Sequence, residues 1–177
     1  LDALVDALLD ENPVKRPCME KIVQFLEPNF LLLTREVGKA FGILLENIRK
    51  HLNIKYASKT VKCVVINITS GFRGPQLNKA VNGASNSQHC KAQAADIVAD
   101  IVYTNGKRKT IPYNELYETI KALAKQKKLY IDQCIQEQSY NKSTKKWSYW
   151  VHVSLCAQIG QCRYEFLKYN NGKYTLD

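Results

Sequence analysis

Two kinds of hydrophobic periodicity divide the chain. In the first third, apolar residues recur at helical spacing, which predicts helices at about 1–11, 19–26 and 34–52. Later segments are rich in β-branched and aromatic residues and predict strands at 61–69, 94–102, 108–111, 130–138, 147–155 and 163–167. A helix of no more than a couple of turns is expected at 76–81, and an amphipathic helix at 113–127. Helices first and strands later predict an α+β domain with an antiparallel sheet.

The length and composition suit one globular domain with a small extension. The chain has 177 residues, of which 45% are hydrophobic, and we expect residues 1–28 to be a helical extension of a domain at 29–177. No apolar run approaches the roughly 18–20 residues that a membrane-spanning helix needs. The first segment carries Asp2 and Asp6 rather than the basic start of a signal peptide. We therefore expect a processed product or a piece of a longer protein.

The charge favours anionic partners without choosing among them. Lysine and arginine number 26 and aspartate and glutamate 16, for a formal net charge of +10. Such a balance suits nucleic acid, anionic lipid or an acidic cell-wall polymer. The lysines are scattered, so a solvated basic surface is the simplest interpretation.

The cysteines give no metal or disulfide framework by their spacing. No C-x-x-C pair occurs among the six, and a domain of this length buries enough surface without disulfides. We expect reduced, mostly buried thiols and synthesis in a reducing cytoplasm.

Two histidines and one aspartate are candidate ligands for a metal ion. His89 lies in a polar loop, and Asp96 follows seven residues later at the start of a predicted strand. His152 lies in a strand, where Val151 and Val153 are expected to face the core and His152 the opposite side. Two histidines and a carboxylate would leave a tetrahedral zinc ion one open position, as in catalytic sites. The alternative is that the histidines are buried and satisfied by hydrogen bonds.

Glu137 is the candidate general base. If the turn between the strands at 130–138 and 147–155 is centred between Thr144 and Lys145, Glu137 lies directly opposite His152, with Cβ atoms about 4.5–5.5 Å apart. A slip of one residue would place the two side chains on opposite faces of the sheet. A carboxylate that does not bind the metal is suited to accept a proton from an activated water molecule.

Three ordered motifs resemble a known family. They read Ser70-Gly-Phe-Arg73, then Ser87-Gln-His89-Cys-Lys-Ala-Gln-Ala-Ala-Asp96-Ile97, then Asp132-Gln-Cys-Ile-Gln-Glu137 with Trp150-Val-His152-Val-Ser154. This order and spacing resemble the zinc D-Ala-D-Ala carboxypeptidase and L-Ala-D-Glu endopeptidase family, which includes phage endolysins. The resemblance covers about residues 60–156.

The resemblance implies a fold and a set of roles. The family has an antiparallel sheet that carries one zinc ion, with helices packed on one side (a hedgehog/DD-peptidase-like fold). It places zinc on His89, Asp96 and His152, and makes Glu137 the general base. The expected activity is zinc-dependent hydrolysis of an amide bond in peptidoglycan stem peptides.

Two further residues take roles from the resemblance alone. Arg73 would bind the substrate carboxylate or polarise the scissile carbonyl, for which its guanidinium fork is well shaped. Ser87 would orient either the substrate or the loop that carries His89. The resemblance also implies synthesis in a bacterial cytoplasm and action in the periplasm or at the cell wall. Whether the gene belongs to a bacterium or to a phage stays open.

The chain departs from the family pattern at two glycine positions. Ala92 and Asn82 stand where the family has glycine. Asparagine tolerates positive φ, whereas Ala92 is harmless only if its position does not require positive φ. No ligand and no base is lost, so we expect activity to be retained.

Two other classes of function stay open. A non-catalytic wall-binding or phage structural module would keep the fold without cleavage, with other parts of a longer protein or of a phage particle as partners. A nucleic-acid-binding domain would explain the +10 charge, although no specific nucleic acid is expected as a partner. The choice between carboxypeptidase and endopeptidase would depend on loops near Asn105 and Asn141.

Overall fold

The computed structural model describes residues 28–156, 161–170 and 172–177. The helices predicted at 1–11 and 19–26, and Cys18, lie outside the described residues. The chain divides into two compact units, Leu1–Lys39 and Ala40–Asp177. Every candidate site residue belongs to the second unit.

Three α-helices and one 3₁₀-helix are formed by the described residues: α1 (Pro28–Lys55), α2 (Pro75–Ala80), the 3₁₀-helix Gln88–Lys91 and α3 (Tyr113–Lys125). Helix α1 is longer than predicted at both ends. Helix α3 has an acidic residue in its first turn and a basic residue in its last, which suits the helix dipole. None of the described helices combines the length and apolar character that crossing a bilayer requires.

In the described part of the chain, seven strands form one mixed sheet: β1 (Val61–Ser70), β2 (Ala94–Tyr103), β3 (Arg108–Thr110), β4 (Gln133–Asn141), β5 (Lys146–Ser154), β6 (Glu165–Asn170) and β7 (Lys173–Leu176). Their order is β1-β2-β5-β4-β6-β7, and β3 pairs with β2. The α+β class is as predicted. The antiparallel expectation is wrong for one pair, because β4 and β6 run parallel. Strand β7 was not predicted.

Alternation along the central strands separates a core face from a site face. On β2 and β5 the core face carries Ile97, Ala99, Val151 and Val153, as the valine pattern predicted. Helices α1 and α3 contribute to the same core, with residues such as Leu116 fully buried. Each fully buried aliphatic side chain stabilises the fold by about 1.5–3 kcal/mol. The intervening residues of β2 and β5 therefore point to the opposite face.

The register of the β4–β5 hairpin differs from the prediction. Glu137 pairs with Trp150, and His152 pairs with Ile135. The strands end at Asn141 and Lys146, so the turn is centred one residue earlier than expected. This changes each pairing by two residues and leaves the faces unchanged. Glu137 is thus a diagonal neighbour of His152 on the same face, rather than its direct partner.

The expectation of reduced, mostly buried cysteines is also wrong in part. Cys156 and Cys162 form a disulfide with Cα atoms 4.8 Å apart. Cys134 is buried and free, whereas Cys63 and Cys90 are free but only half-buried. The bonded pair joins the segment after β5 to the segment before β6, a juxtaposition that cysteine spacing alone does not reveal.

Candidate active site

Three side chains from separate segments converge on one point. His89 Nε2 lies 3.2 Å from Asp96 Oδ1, His152 Nδ1 lies 3.1 Å from the same oxygen, and the two ring nitrogens are 3.2 Å apart. A tetrahedron with zinc–ligand bonds of 2.0–2.1 Å has edges of about 3.3–3.4 Å. The triangle of donor atoms is therefore close to one face of such a tetrahedron, and the three residues can hold a metal ion.

The hydrogen bonding of His89 supports this arrangement. Its Nδ1 lies 2.7 Å from the carbonyl oxygen of Gly71, and because a carbonyl only accepts, Nδ1 carries the proton. In neutral imidazole the other nitrogen then has a free lone pair. That lone pair points at the Asp96 oxygen and at His152 Nδ1, so the site favours a cation or an additional proton at its centre. A carbonyl on the distal ring nitrogen is a usual way to orient a metal-binding histidine.

The strand pairing explains why Asp96 and His152 meet. They are direct partners across β2 and β5, and both are buried. Burial alone would raise the pKa of Asp96, but its contacts with the His152 and His89 rings outweigh burial and lower the pKa to about 2. Asp96 is therefore ionised at neutral pH, as a metal ligand must be.

The loop that carries His89 is fixed by side chains next to it in sequence. The Ser87 hydroxyl caps the 3₁₀-helix and accepts a hydrogen bond from the His89 amide at 3.3 Å. Gln88 Nε2 donates to Asp132 Oδ2 at 2.8 Å. Asp132 also pairs with Arg163, whose Nη2 lies 2.6 Å from the same oxygen. Burial raises the pKa of Asp132, but the Arg163 hydrogen bonds outweigh it and leave the pKa below its usual value.

The two departures from glycine fall at positions that require positive φ. Ala92, which ends the 3₁₀-helix, has φ of 56°, and Asn82 has φ of 55°. The left-handed conformation costs an ordinary L-residue roughly 1–2 kcal/mol, whereas asparagine adopts it more readily. The condition under which Ala92 would be harmless is therefore not met, and Ala92 is strained.

Arg73 lies beside the metal-binding group. Its Nη2 is 3.7 Å from Asp96 Oδ2, and its backbone N–H donates to the His89 carbonyl at 3.2 Å. Within the described part of the chain, its buried Nε has no hydrogen-bond partner. The Ser70–Arg73 motif thus supports His89 through Gly71 and Arg73, and leaves one guanidinium donor unused.

Glu137 is held by two donors from two strands. The Trp150 indole Nε1 donates to Oε2 at 2.6 Å, and the Tyr174 hydroxyl donates to Oε1 at 3.0 Å. Tyr174 lies on β7 and was missed from the sequence. The pair Asn171-Gly172 is a hairpin-turn signal followed by the strand-like Lys-Tyr-Thr-Leu, and that signal would have predicted β7.

The candidate site residues border one cleft of about 630 Å³, within the size range of small-molecule sites. Its lining includes the three candidate ligands, Arg73, Ser87 and Glu137. The structure thus brings every sequence-predicted site residue to the same cleft. The cleft therefore combines three features: a group that can bind a metal ion, the Glu137 carboxylate diagonal to His152 on the same face of the sheet, and the Arg73 guanidinium.

Comparison with known proteins adds a family match over part of the chain. Residues 42–111 match a family model described as Peptidase M15, a segment that includes Arg73, His89 and Asp96 and ends before Glu137 and His152. No curated protein matches the chain, and no solved structure does. The match supports the resemblance drawn from the sequence motifs: residues 42–111 of this chain are similar to the Peptidase M15 family.

Proposed function

We propose that this protein is a zinc peptidase that hydrolyses an amide bond in peptidoglycan stem peptides. The supporting observation is the triangle of donor atoms from His89, Asp96 and His152, with Glu137 on the same face of the sheet. We also propose that residues 29–177 form the peptidase domain with a hedgehog/DD-peptidase-like fold, and that residues 1–28 are an extension.

The proposed ligands of one zinc ion are His89, Asp96 and His152. Bound there, zinc would supply Lewis acidity, which lowers the pKa of a water molecule towards 7 and polarises a carbonyl group. The chain's own contribution is preorganisation. The Gly71 carbonyl fixes the tautomer of His89, and strand pairing fixes Asp96 against His152.

Glu137 is the proposed general base. A carboxylate has about four lone-pair sites, and Trp150 and Tyr174 use one on each oxygen. Capacity remains to accept a proton from the attacking water. The same carboxyl group then delivers that proton to the leaving amine.

Arg73 is proposed to bind a carbonyl or carboxylate oxygen of the substrate. Its unused Nε–H and its position beside Asp96 suit this role, because charge that develops on an oxygen is best stabilised by a donor already in place. Ser87 is proposed to act on the loop, since its hydroxyl accepts from the His89 amide.

The proposed place of action is the periplasm or cell wall, after synthesis in a bacterial cytoplasm. A net charge of +10 would hold the protein to an anionic wall, and added salt would weaken that attraction. The Cys156–Cys162 disulfide suits an oxidising compartment.

The test is mass spectrometry of muropeptides after incubation with the zinc-loaded protein, with and without a chelator. We expect cleavage that the chelator abolishes. Glu137→Gln should lower the rate by about 10²–10⁴-fold while zinc remains bound. Glu118→Gln, which makes the same change at an exposed carboxylate on α3, is the control and should cleave normally.

Two results would contradict the proposal. Undiminished cleavage by the Glu137→Gln protein would exclude Glu137 as the base. Wall binding without cleavage by the unmodified zinc-loaded protein would favour the non-catalytic module instead.

A further inference from the structure

The last strand of the sheet borders the cleft. Strand β7 pairs with β6 at one edge of the sheet, and its Tyr174 reaches the Glu137 carboxylate. We propose that Tyr174 is a positioning residue that fixes the orientation of the Glu137 carboxylate, and that β7 forms part of the active site. This inference rests on the proposed role of Glu137 as base.

Two hydrogen bonds fix the orientation of the Glu137 carboxylate, which a single bond would leave free to rotate. The terminal torsion of a glutamate side chain is broad, with no sharp rotamer wells. The Trp150 indole engages one oxygen and Tyr174 the other, from strands on either side of Glu137 in the sheet order. With both bonds present, side chains from two strands of the sheet fix the plane of the carboxylate. A catalytic group needs such a fixed orientation.

Strand β7 is secured near both ends of its short length. The ring of Tyr174 packs against its cross-strand partner Tyr169, with centroids 4.9 Å apart. Beyond the strand, Asp177 accepts from one tyrosine and two lysines of α3 and β6: Tyr117 at 3.1 Å, Lys121 at 2.6 Å and Lys168 at 2.7 Å. These contacts hold Tyr174 at a fixed distance from Glu137.

The Tyr174 hydroxyl remains a donor across the physiological range. Partial burial and the neighbouring Glu137 carboxylate both raise the pKa of Tyr174 above its ordinary value of 10.0. The residue as a whole is 54% exposed, so loss of its hydroxyl should cost the fold little. Its effect should therefore be confined to Glu137.

The first test measures the contact without relying on activity. The chain has two tryptophans, so its ¹⁵N–¹H spectrum should contain two indole signals, which Trp147→Phe assigns. Tyr174→Phe should shift the Trp150 indole signal, because the shared carboxylate can reorient. Tyr169→Phe, the same change on the adjacent ring, is the control and should leave it in place.

The spectra are recorded on both metal-free and zinc-loaded protein. An unmoved Trp150 signal in Tyr174→Phe would overturn the inference, and so would an equal shift in Tyr169→Phe. Because this readout needs no substrate, it decides the inference even if the unmodified protein fails to cleave stem peptides. That failure would count against the proposed function alone.

The second test is kinetic. In the zinc-loaded protein, Tyr174→Phe should lower kcat about tenfold with little change in KM, since the bond positions the base rather than the substrate. In a Glu137→Gln background the same change should have no further effect on the residual rate. A change in KM alone, or an undiminished effect in that background, would contradict a positioning role.

Discussion

The two halves of the cleft are built differently. The metal-binding half is buried, with His89 only 2% exposed, and its members are set by strand pairing and by a backbone carbonyl. The half around Glu137 depends on a hairpin and on the edge strand β7, where Tyr174 is 54% exposed. The candidate ligands Asp96 and His152 are thus positioned by central strands of the sheet, whereas Glu137 is positioned in part by an edge strand.

This difference has an energetic consequence. A buried carboxylate is costly unless it is paired, so Asp96 must have partners whether or not a metal is present. Glu137 can exchange its donors with solvent or substrate at smaller cost. We therefore expect changes in the first half to affect metal binding and stability, and changes in the second half to affect turnover.

Asp96→Asn should have the largest effect, because it removes one of the three proposed zinc ligands. The substitution removes the charge shared by the two histidines, and zinc affinity should fall by more than about a hundredfold. Asp100→Asn on the same strand is the matched control and should bind zinc normally. Competition with a colorimetric chelator measures both, and equal affinities would contradict the assignment of Asp96 as a ligand.

Asp132→Asn should weaken the metal-binding half indirectly, through the loop that carries His89, and have the second largest effect. Asp132 joins Gln88 to Arg163, so its loss should loosen the His89 loop and weaken zinc binding by about tenfold. We also expect a loss of about 1–2 kcal/mol in the free energy of unfolding at pH 7.

The pH dependence of that loss follows from the lowered pKa of Asp132. Since the pKa in the folded state lies below the ordinary value of 3.8, the carboxylate contributes stability above that value and loses it as the pH falls. Urea unfolding at pH 7 and pH 3 should show the difference between Asp132→Asn and the unmodified protein shrinking in acid. A difference that grew in acid would contradict this account.

Ala92→Gly should have the smallest effect and the opposite sign. Relief of the left-handed strain at φ of 56° should stabilise the protein by about 1 kcal/mol, or about 2–4 °C in Tm. Ala122→Gly in helix α3 is the contrasting change and should destabilise by a similar amount. A lower Tm for Ala92→Gly in thermal melting would show that the position is not strained.

The sequence predicted the metal-binding half better than the other half. His89 and Asp96 lie seven residues apart in one motif, and the alternation around His152 assigns its face without any long-range information. The shared face of Glu137 and His152 was also predicted, but their register was not. The turn between Asn141 and Lys146 has no glycine to fix its geometry.

Features that depend on contacts between distant segments were not predictable. The parallel pairing of β4 and β6 and the Cys156–Cys162 bond arise where chain segments meet after folding. The support of His89 by the Gly71 carbonyl is likewise a main-chain contact, which side-chain motifs do not report. The contact of Tyr174 with Glu137 belongs to the same class.

The most direct measurement is a crystal structure of the zinc-loaded protein with anomalous scattering recorded at the zinc edge. We predict one ion per chain, bound by His89, Asp96 and His152, with Glu137 in the cleft but not coordinating. An ion elsewhere, an absent peak at saturating zinc, or Glu137 bound in place of one of the three would contradict the central claim.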